Sequence, residues 1–130
     1  MAFHLSTAFL TIATTDFDSL IAFYQGLLAQ EPKPFIPNVY AEFNLPGLRL
    51  AIFRPKDSNA SEFKHSANSS MSICLEVDSL EAVIEKLKDL GHAPQGEIMT
   101  ASHGREIYAY DPIGNRLILH QGAGKVEASA

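Results

Sequence analysis

The stretch Arg105–His120, REIYAYDPIGNRLILH, predicts two short β-strands joined by a tight turn. Its first part is rich in tyrosine and its last part in leucine and isoleucine, a composition typical of strands. Between them, Pro112 suits the start of a turn because its φ is restricted, and Gly114 can adopt the positive φ that a chain reversal needs. Asp111 can accept hydrogen bonds from nearby backbone N–H groups. The stretch therefore predicts a β-hairpin.

The residues before this hairpin predict a strand followed by an amphipathic helix. Leu80, Val83, Ile84, Leu87 and Leu90 recur at helical spacing, and Gly91 follows them where a helix commonly ends. Asp78 and Glu81 have the spacing of a capping box at the start of this helix. The strands predicted in this half of the chain are Met71–Val77, Glu97–Ala101, Arg105–Tyr110 and Arg116–Gln121.

The first half of the chain predicts the same order of elements. Alternating residues over Phe9–Thr15 predict a half-buried strand, and Asp16 is expected to cap the helix that follows. Apolar residues from Phe17 to Leu28 recur at helical spacing. Asn38–Leu45 and Leu48–Phe53 then predict two strands around a Pro-Gly turn. Both halves begin with a strand that ends in Asp and runs into a helix, TTDFDSLIAFY and EVDSLEAVIEKL, which indicates an internal repeat.

Composition narrows the class of protein. A chain of 130 residues that is 46% hydrophobic can form one domain, or two small modules that share a core. A net charge of -5 with no basic block argues against nucleic acid as a partner. Cys74 is the only cysteine in the sequence, so no internal disulfide is expected. The start has neither the charged region of a signal peptide nor a membrane-spanning run, and we expect a cytoplasmic protein without a membrane partner.

The run Y-x-Y-D-P-x-G-N-R-L-I-L, together with the internal repeat, resembles the vicinal oxygen chelate superfamily, which includes glyoxalase I, bleomycin-resistance proteins and extradiol dioxygenases. This resemblance implies an α+β fold of two βαβββ modules, whose curved mixed sheets form a cup with the helices outside. It implies a single domain over residues 1–130. Its parts are module 1 at approximately 7–55, a linker at 56–70, module 2 at approximately 71–121 and a tail at 122–130. It also implies a homodimer.

The resemblance further implies four metal-ligand positions on the inner face of the cup. Counted from the matching landmarks, they fall on Phe9, Ala51, Ser72 and Ile118. None of these side chains is an imidazole or a carboxylate, the groups that such metals require. We therefore predict no cofactor. A divalent metal could bind only at an unusual site, such as one built from Glu76, Glu106 and His120 if their strands are neighbours.

Alternation in the strands predicts which side chains line the cup. The opposite parity is uniformly apolar and is expected to pack under the helices. A lining of aromatic and polar groups suits a small, partly apolar organic ligand. The predicted ligand-binding residues are Phe9, Thr11, Arg49, Phe53, Ser72, Cys74, Tyr108, Tyr110, Ile118 and His120.

Tyr108, His120 and Glu106 are the candidates for a catalytic role. Tyr108 lies where extradiol dioxygenases carry an active-site tyrosine, and the alternative is an aromatic wall residue. His120 has the chemistry of a general base, although a lone strand histidine is more often structural. Arg49 either pairs with a ligand carboxylate or forms an ion pair with Glu76 or Glu106.

Three functions remain open on the sequence. The first is a metal-free protein of the glyoxalase/bleomycin-resistance type that binds a small molecule in the cup. The alternative is a glyoxalase- or dioxygenase-like lyase or oxygenase with a non-standard metal or acid–base site. In the third, the cup is filled and the protein acts only through an interaction surface.

Overall fold

A computed structural model describes residues 3–64 and 69–123 of the chain, which divides into two compact units, Met1–Lys64 and His65–Ala130. In the described part of each unit, the order of elements is a strand, a helix and then three strands. Each unit holds one four-stranded mixed sheet. The predicted α+β class and the two βαβββ modules are therefore confirmed.

The first unit places its opening strand beside its last one. The sheet order is β1-β4-β3-β2, in which β1 runs parallel to β4 and the other pairs are antiparallel. The first strand is shorter than predicted because only its middle residues pair with β4, and β2 was not predicted because it has two residues. The elements are β1 (Leu10–Ala13), α1 (Phe17–Leu28), β2 (Phe35–Ile36), β3 (Tyr40–Leu45) and β4 (Leu48–Phe53).

Helix α1 buries the apolar face that its helical spacing predicts. Phe17, Leu20 and Tyr24 are at most 1% exposed, and Phe23, which lies outside the predicted face, is buried as well. The prediction that Asp16 caps the helix is wrong. Its side chain makes no capping hydrogen bond, and its backbone N–H donates instead to Thr14 Oγ1 at 2.9 Å.

The second unit repeats the arrangement with longer strands. The sheet order is β5-β8-β7-β6, with β5 parallel to β8 and the other pairs antiparallel. The elements are β5 (Ser72–Glu76), α2 (Leu80–Asp89), β6 (Met99–Ala101), β7 (Gly104–Tyr110) and β8 (Arg116–Gly122).

The N-cap of α2 differs from the predicted capping box of Asp78 and Glu81. Ser79 is the capping residue, and its Oγ accepts a hydrogen bond from the Ala82 N–H at 3.1 Å. Glu81 instead forms a two-point ion pair with Arg105, at 2.7 and 2.9 Å. The buried Gln121 Oε1 accepts from both the Leu80 N–H and Arg105. These contacts tie the helix N-terminus to β7 and β8, and they satisfy a backbone donor that would otherwise lack a partner.

The hairpin between β7 and β8 confirms the predicted turn. Asp111 is 3% exposed, and its carboxylate accepts from the backbone N–H groups of Ile113 and Asn115 at 3.0 and 2.9 Å. It also accepts from the Asn115 side chain at 2.8 Å. Gly114 adopts the expected positive φ of 92°. The turn thus sets the register in which Tyr108 lies opposite Ile118.

The predicted linker at 56–70 contains a 3-10 segment, Asp57–Phe63, and its residues 65–68 lie outside the described part of the chain. One predicted boundary, that of the tail, needs correction. The tail does not begin at residue 122, because Gly122 pairs with Gly104 in the sheet, and residues 124–130 lie outside the described residues. Across residues 3–64 and 69–123, the structure contains no helix of the length and apolarity that a membrane span requires.

Candidate functional site

Each sheet has one face that packs with its helix and an opposite face, here called its open face. On the helix side, the apolar residues that alternate along the strands are buried as predicted: Leu50, Ile52, Leu117 and Leu119 are at most 1% exposed. On the open faces, Phe9, Tyr108 and Tyr110 are 42, 40 and 44% exposed. Single exposed apolar side chains are ordinary, but exposed aromatic side chains that share one face of a sheet, as Tyr108 and Tyr110 do, are typical of a surface that binds something. The open faces are therefore the candidate site.

The open face of the first unit centres on Arg49. Its guanidinium carbon lies 5.1 Å from the centre of the Phe9 ring, a cation–π distance, and its Nε lies 3.5 Å from Glu42 Oε1. The sequence suggested Glu76 or Glu106 as its ion-pair partner, but the partner is Glu42 of β3. Alternation over β3 would have placed Glu42 on this face, since it lies opposite Ala51.

Tyr40 completes this polar group. Its hydroxyl donates to Glu42 Oε2 at 2.7 Å. This hydrogen bond, followed by partial burial and by the negative charge of Glu42, raises the pKa of Tyr40. Tyr40 therefore keeps its proton at neutral pH, and Glu42 is shared between a hydroxyl donor and a guanidinium.

The remaining predicted residues of the first unit flank this group. Thr11 lies opposite Ala51 in the parallel pair of β1 and β4, and Phe53 lies opposite Ala13. The Phe53 ring meets the Phe63 ring edge-on, with ring centres 5.5 Å apart. Ala51 itself is fully buried between its register neighbours. The first open face is therefore an aromatic and aliphatic surface around one arginine.

The open face of the second unit also carries an arginine. Arg116 Nη1 donates to the Ser72 Oγ at 3.1 Å and to the Ser69 carbonyl oxygen at 2.8 Å. Ile118 follows two residues later on the same face, opposite both Cys74 and Tyr108. The structure thus brings together five of the predicted second-unit residues: Ser72, Cys74, Tyr108, Tyr110 and Ile118.

Cys74 lies in surroundings that disfavour its thiolate. Partial burial, and then the negative charges of Glu76 and Glu106, raise the pKa of its thiol. A thiol that stays protonated at neutral pH is a poor nucleophile and a poor metal ligand. Cys74 is an exposed residue, but its raised thiol pKa favours low reactivity.

We expect Cys74 to react with iodoacetamide more slowly than N-acetylcysteine does at pH 7.5. The pH at which the alkylation rate is half-maximal should be higher for Cys74 than for the free thiol, because the Cys74 thiolate forms at a higher pH. Glu76→Gln should move this pH back towards the free value, and Cys74→Ser should abolish labelling. A midpoint at or below that of N-acetylcysteine would show that the thiol is activated.

A row of polar residues crosses the second sheet at its far end. His120 on β8 lies opposite Glu76 on β5 and opposite Glu106 on β7, so the strands that the sequence left unplaced are indeed neighbours. His120 Nδ1 lies 2.7 Å from Glu76 Oε1, and the other Glu76 oxygen accepts from the Gly122 N–H at 2.8 Å. His120 is therefore firmly oriented by a carboxylate.

His103 joins this row from the turn between β6 and β7. Its Nδ1 lies 3.1 Å from His120 Nε2, and the two ring planes are nearly parallel. Sequence alone suggests only an exposed loop residue at position 103. No local signal could have linked it to His120, because the contact depends on how the β6–β7 turn meets the end of β8.

The residues at the four predicted metal-ligand positions do not fit a divalent metal. Phe9, Ala51 and Ile118 have no donor atom, and the Ser72 hydroxyl is bonded to a guanidinium. Two of the positions lie beside a positive charge, Phe9 by Arg49 and Ser72 by Arg116. Within residues 3–64 and 69–123, no three His, Cys, Asp or Glu side chains are grouped to hold a metal ion.

Comparisons with known proteins agree with this fold. Residues 6–119 match the family model of the Glyoxalase/Bleomycin resistance protein/Dioxygenase superfamily. A glyoxalase-related enzyme from Fulvimarina pelagi is 18% identical, with a TM-score of 0.73 over 91% of this chain and 89% of that one. The fosfomycin resistance protein FosX from Listeria monocytogenes is 20% identical, with a TM-score of 0.72 over 94% and 97%.

Lactoylglutathione lyase from Agrobacterium tumefaciens is also 20% identical, with a TM-score of 0.65 over 91% of this chain and 95% of that one. A search of curated protein sequences finds no match. At these identities the solved structures support the fold alone, whereas the family model spans most of the chain. The protein belongs to the Glyoxalase/Bleomycin resistance protein/Dioxygenase superfamily.

Proposed function

We propose that this protein binds a small, partly apolar organic acid on the open face of its second sheet, without a divalent metal. The observation that carries this proposal is the position of two arginines. Two of the four positions that the resemblance implies for metal ligands have a guanidinium beside them, 5.1 Å from the Phe9 ring and 3.1 Å from Ser72 Oγ. A divalent cation next to a guanidinium is disfavoured, whereas a carboxylate is attracted to it. Because Arg49 is already paired with Glu42, Arg116 is the arginine that we assign to the ligand carboxylate.

The other open-face residues support an organic ligand of mixed character. Tyr108 and Tyr110 present accessible rings, and Ile118 adds an aliphatic surface next to Tyr108. Sites of this kind combine apolar walls with a few polar groups that orient the ligand. In this proposal, Arg116 orients the acidic group and the tyrosines contact the apolar part.

Ligand-observed NMR, together with chemical-shift mapping on the labelled protein, tests the binding role with small aromatic carboxylic acids and their matching amides. We expect the acids to bind better than the amides, with protein shifts concentrated at Tyr108, Ile118 and Arg116. Arg116→Gln should weaken the binding of the acids and leave the binding of the amides nearly unchanged. The control Glu85→Gln, on the exposed surface, should change the binding of neither class. Shifts confined to other parts of the chain, or equal binding of acids and amides, would contradict the proposal.

Thermal unfolding with Mn²⁺, Ni²⁺ or Zn²⁺ tests the metal-free part. A metal present at a hundredfold excess over its Kd would add about 2.7 kcal/mol to the free energy of unfolding. We expect no stoichiometric stabilisation by any of these ions. Clear saturable stabilisation at one ion per chain would overturn this part of the proposal and favour an unusual metal site.

The alternative of a lyase or oxygenase is favoured by one observation, the row of Glu76, His120 and Glu106. These groups have acid–base chemistry and lie on adjacent strands. Tyr108→Phe and His120→Ala would separate the two functions. An enzyme that uses these residues loses turnover of a glyoxalase or ring-cleavage substrate in both variants, whereas a binding protein shows no turnover to lose.

A further inference from the structure

We propose that Glu76, His120 and His103 form a proton relay that presents a general base, His103 Nε2, at the exposed end of the second sheet. This goes beyond the proposed binding role, since it assigns an acid–base activity to a residue that is outside the predicted site. Its ligand would be a small molecule with an acidic O–H, S–H or activated C–H group next to His103.

The hydrogen-bond chemistry determines where the protons lie. A carboxylate only accepts, so the His120 nitrogen that lies 2.7 Å from Glu76 Oε1 must carry a proton. In a neutral His120 the other nitrogen, Nε2, is then an acceptor. Its partner at 3.1 Å, His103 Nδ1, must be the donor. The remaining nitrogen, His103 Nε2, is left with a lone pair.

The exposure of the three groups places His120 in the middle of the relay, with an exposed partner on each side. The His120 side chain is 19% exposed, the Glu76 side chain is 47% exposed, and His103 is an exposed residue of the β6–β7 turn. The Glu76 carboxylate is also anchored by the Gly122 N–H at 2.8 Å. A base works best when its orientation and tautomer are set in advance by such contacts.

The proton transfer balances within these three residues and the ligand. His103 Nε2 takes a proton from the ligand X–H group, and the electron pair of the broken bond stays on X. The Nδ1 proton of His103 moves to His120 Nε2, so that the positive charge rests on the ring next to Glu76. Return of the proton to X reverses both steps, whereas release of the proton to water restores the relay and leaves X deprotonated. His103 would be the catalytic residue, and His120 and Glu76 the positioning residues.

Nitrogen-15 NMR of the histidine side chains at pH 8 tests the tautomers directly. We expect His103 and His120 both to be the Nδ1–H form, the minor form of free histidine. In Glu76→Gln, the new amide can donate to His120 Nδ1, and both rings should change to the Nε2–H form. The side-chain oxygen of this amide can still accept from the Gly122 N–H, so thermal unfolding should change little.

Carbethoxylation by diethyl pyrocarbonate, mapped by mass spectrometry, tests the reactivity of the free nitrogen. The internal reference is His4, an exposed histidine on the N-terminal segment. We expect His103 to react about tenfold faster than His4. A rate ratio of about this size corresponds to the free energy of one hydrogen bond to a charged group. Both Glu76→Gln and His120→Asn should reduce the His103 rate to that of His4.

Two results would overturn the proposal. Wild-type His103 as the Nε2–H form would mean that no relay exists. The second result combines the expected tautomers with a His103 carbethoxylation rate equal to that of His4, both in wild type and in Glu76→Gln. This result would show that the three residues form a static cluster that does not change the reactivity of His103 Nε2. Neither measurement uses a ligand, so a failure here is distinct from a failure of the proposed binding role.

Discussion

Gly104→Ala is expected to lower the free energy of unfolding by about 3 kcal/mol or more, since backbone strain and overpacking each cost about 1–3 kcal/mol. Gly104 begins β7 with a φ of 136°, a conformation that an alanine rarely adopts. A Cβ at this position would overlap the Gln121 carbonyl oxygen and lie 3.0 Å from the Ala123 backbone nitrogen. These are backbone atoms of the paired strand, and they cannot move aside as a flexible side chain would.

Gly96→Ala is the matched control for this substitution. A Cβ on Gly96 would meet nothing within 4 Å, and its φ is not in the positive range. The control should therefore change stability by no more than about 0.5 kcal/mol, as surface substitutions usually do. Urea unfolding followed by circular dichroism measures both. Equal effects of the two substitutions would show that the pairing of Gly104 with Gly122 is not formed as described.

Leu119→Ala is expected to cost about 2–5 kcal/mol of unfolding free energy, the range for a leucine removed from a packed core. Leu119 is fully buried on the helix side of the second sheet, where it pairs with Leu75 and Ile107. Its truncation removes apolar contacts and leaves a cavity that the surrounding strands cannot fill.

Ile118→Ala provides the comparison, because residue 118 is adjacent in the chain but on the open face. Ile118 is only half-buried, and its truncation should cost about 1 kcal/mol. The same pair of variants tests the register behind the metal-ligand positions, since Ile118 occupies one of them. A larger cost at 118 than at 119 would mean that the two faces are exchanged and that the ligand positions must be reassigned.

The local elements were predictable where a residue type has a single physical role. Pro112, Gly114 and Asp111 each suit one part of a tight turn, and the structure uses all three in that way. Helical spacing likewise identified both helices, because apolar residues at that spacing lie on one face of a helix and can be buried together. Residue alternation likewise separated the buried strand residues from those on the open faces, because successive side chains of a strand point to opposite faces of the sheet.

Helix caps were the weaker part of the prediction. Asp16 and Asp78 have capping chemistry, but so do Thr14 and Ser79, which lie within two residues of them. In the structure, Ser79 caps α2 and Thr14 accepts from the backbone of Asp16. Several side chains that can accept the same hydrogen bond are nearly equivalent in sequence, and the direction from which the chain enters the helix selects among them.

Among the site residues, positions were more predictable than partners. Alternation placed Arg49 and His120 on the open faces, but it could not say that Arg49 pairs with Glu42 or that His103 contacts His120. These pairings link residues on different strands or turns. They depend on strand order and register, which short-range patterns do not contain.

By itself, the sequence determined the doubled strand–helix–strand order and the side of the sheet that each strand residue faces. Those properties follow from residue type and spacing along the chain. The four positions that the superfamily resemblance implies for metal ligands contain no imidazole or carboxylate. Only the tertiary structure decided that Arg49 and Arg116 stand beside two of those positions, and that Glu76, His120 and His103 form one hydrogen-bonded chain. Contacts a few ångströms long between residues far apart in the chain exist only once the sheets have formed.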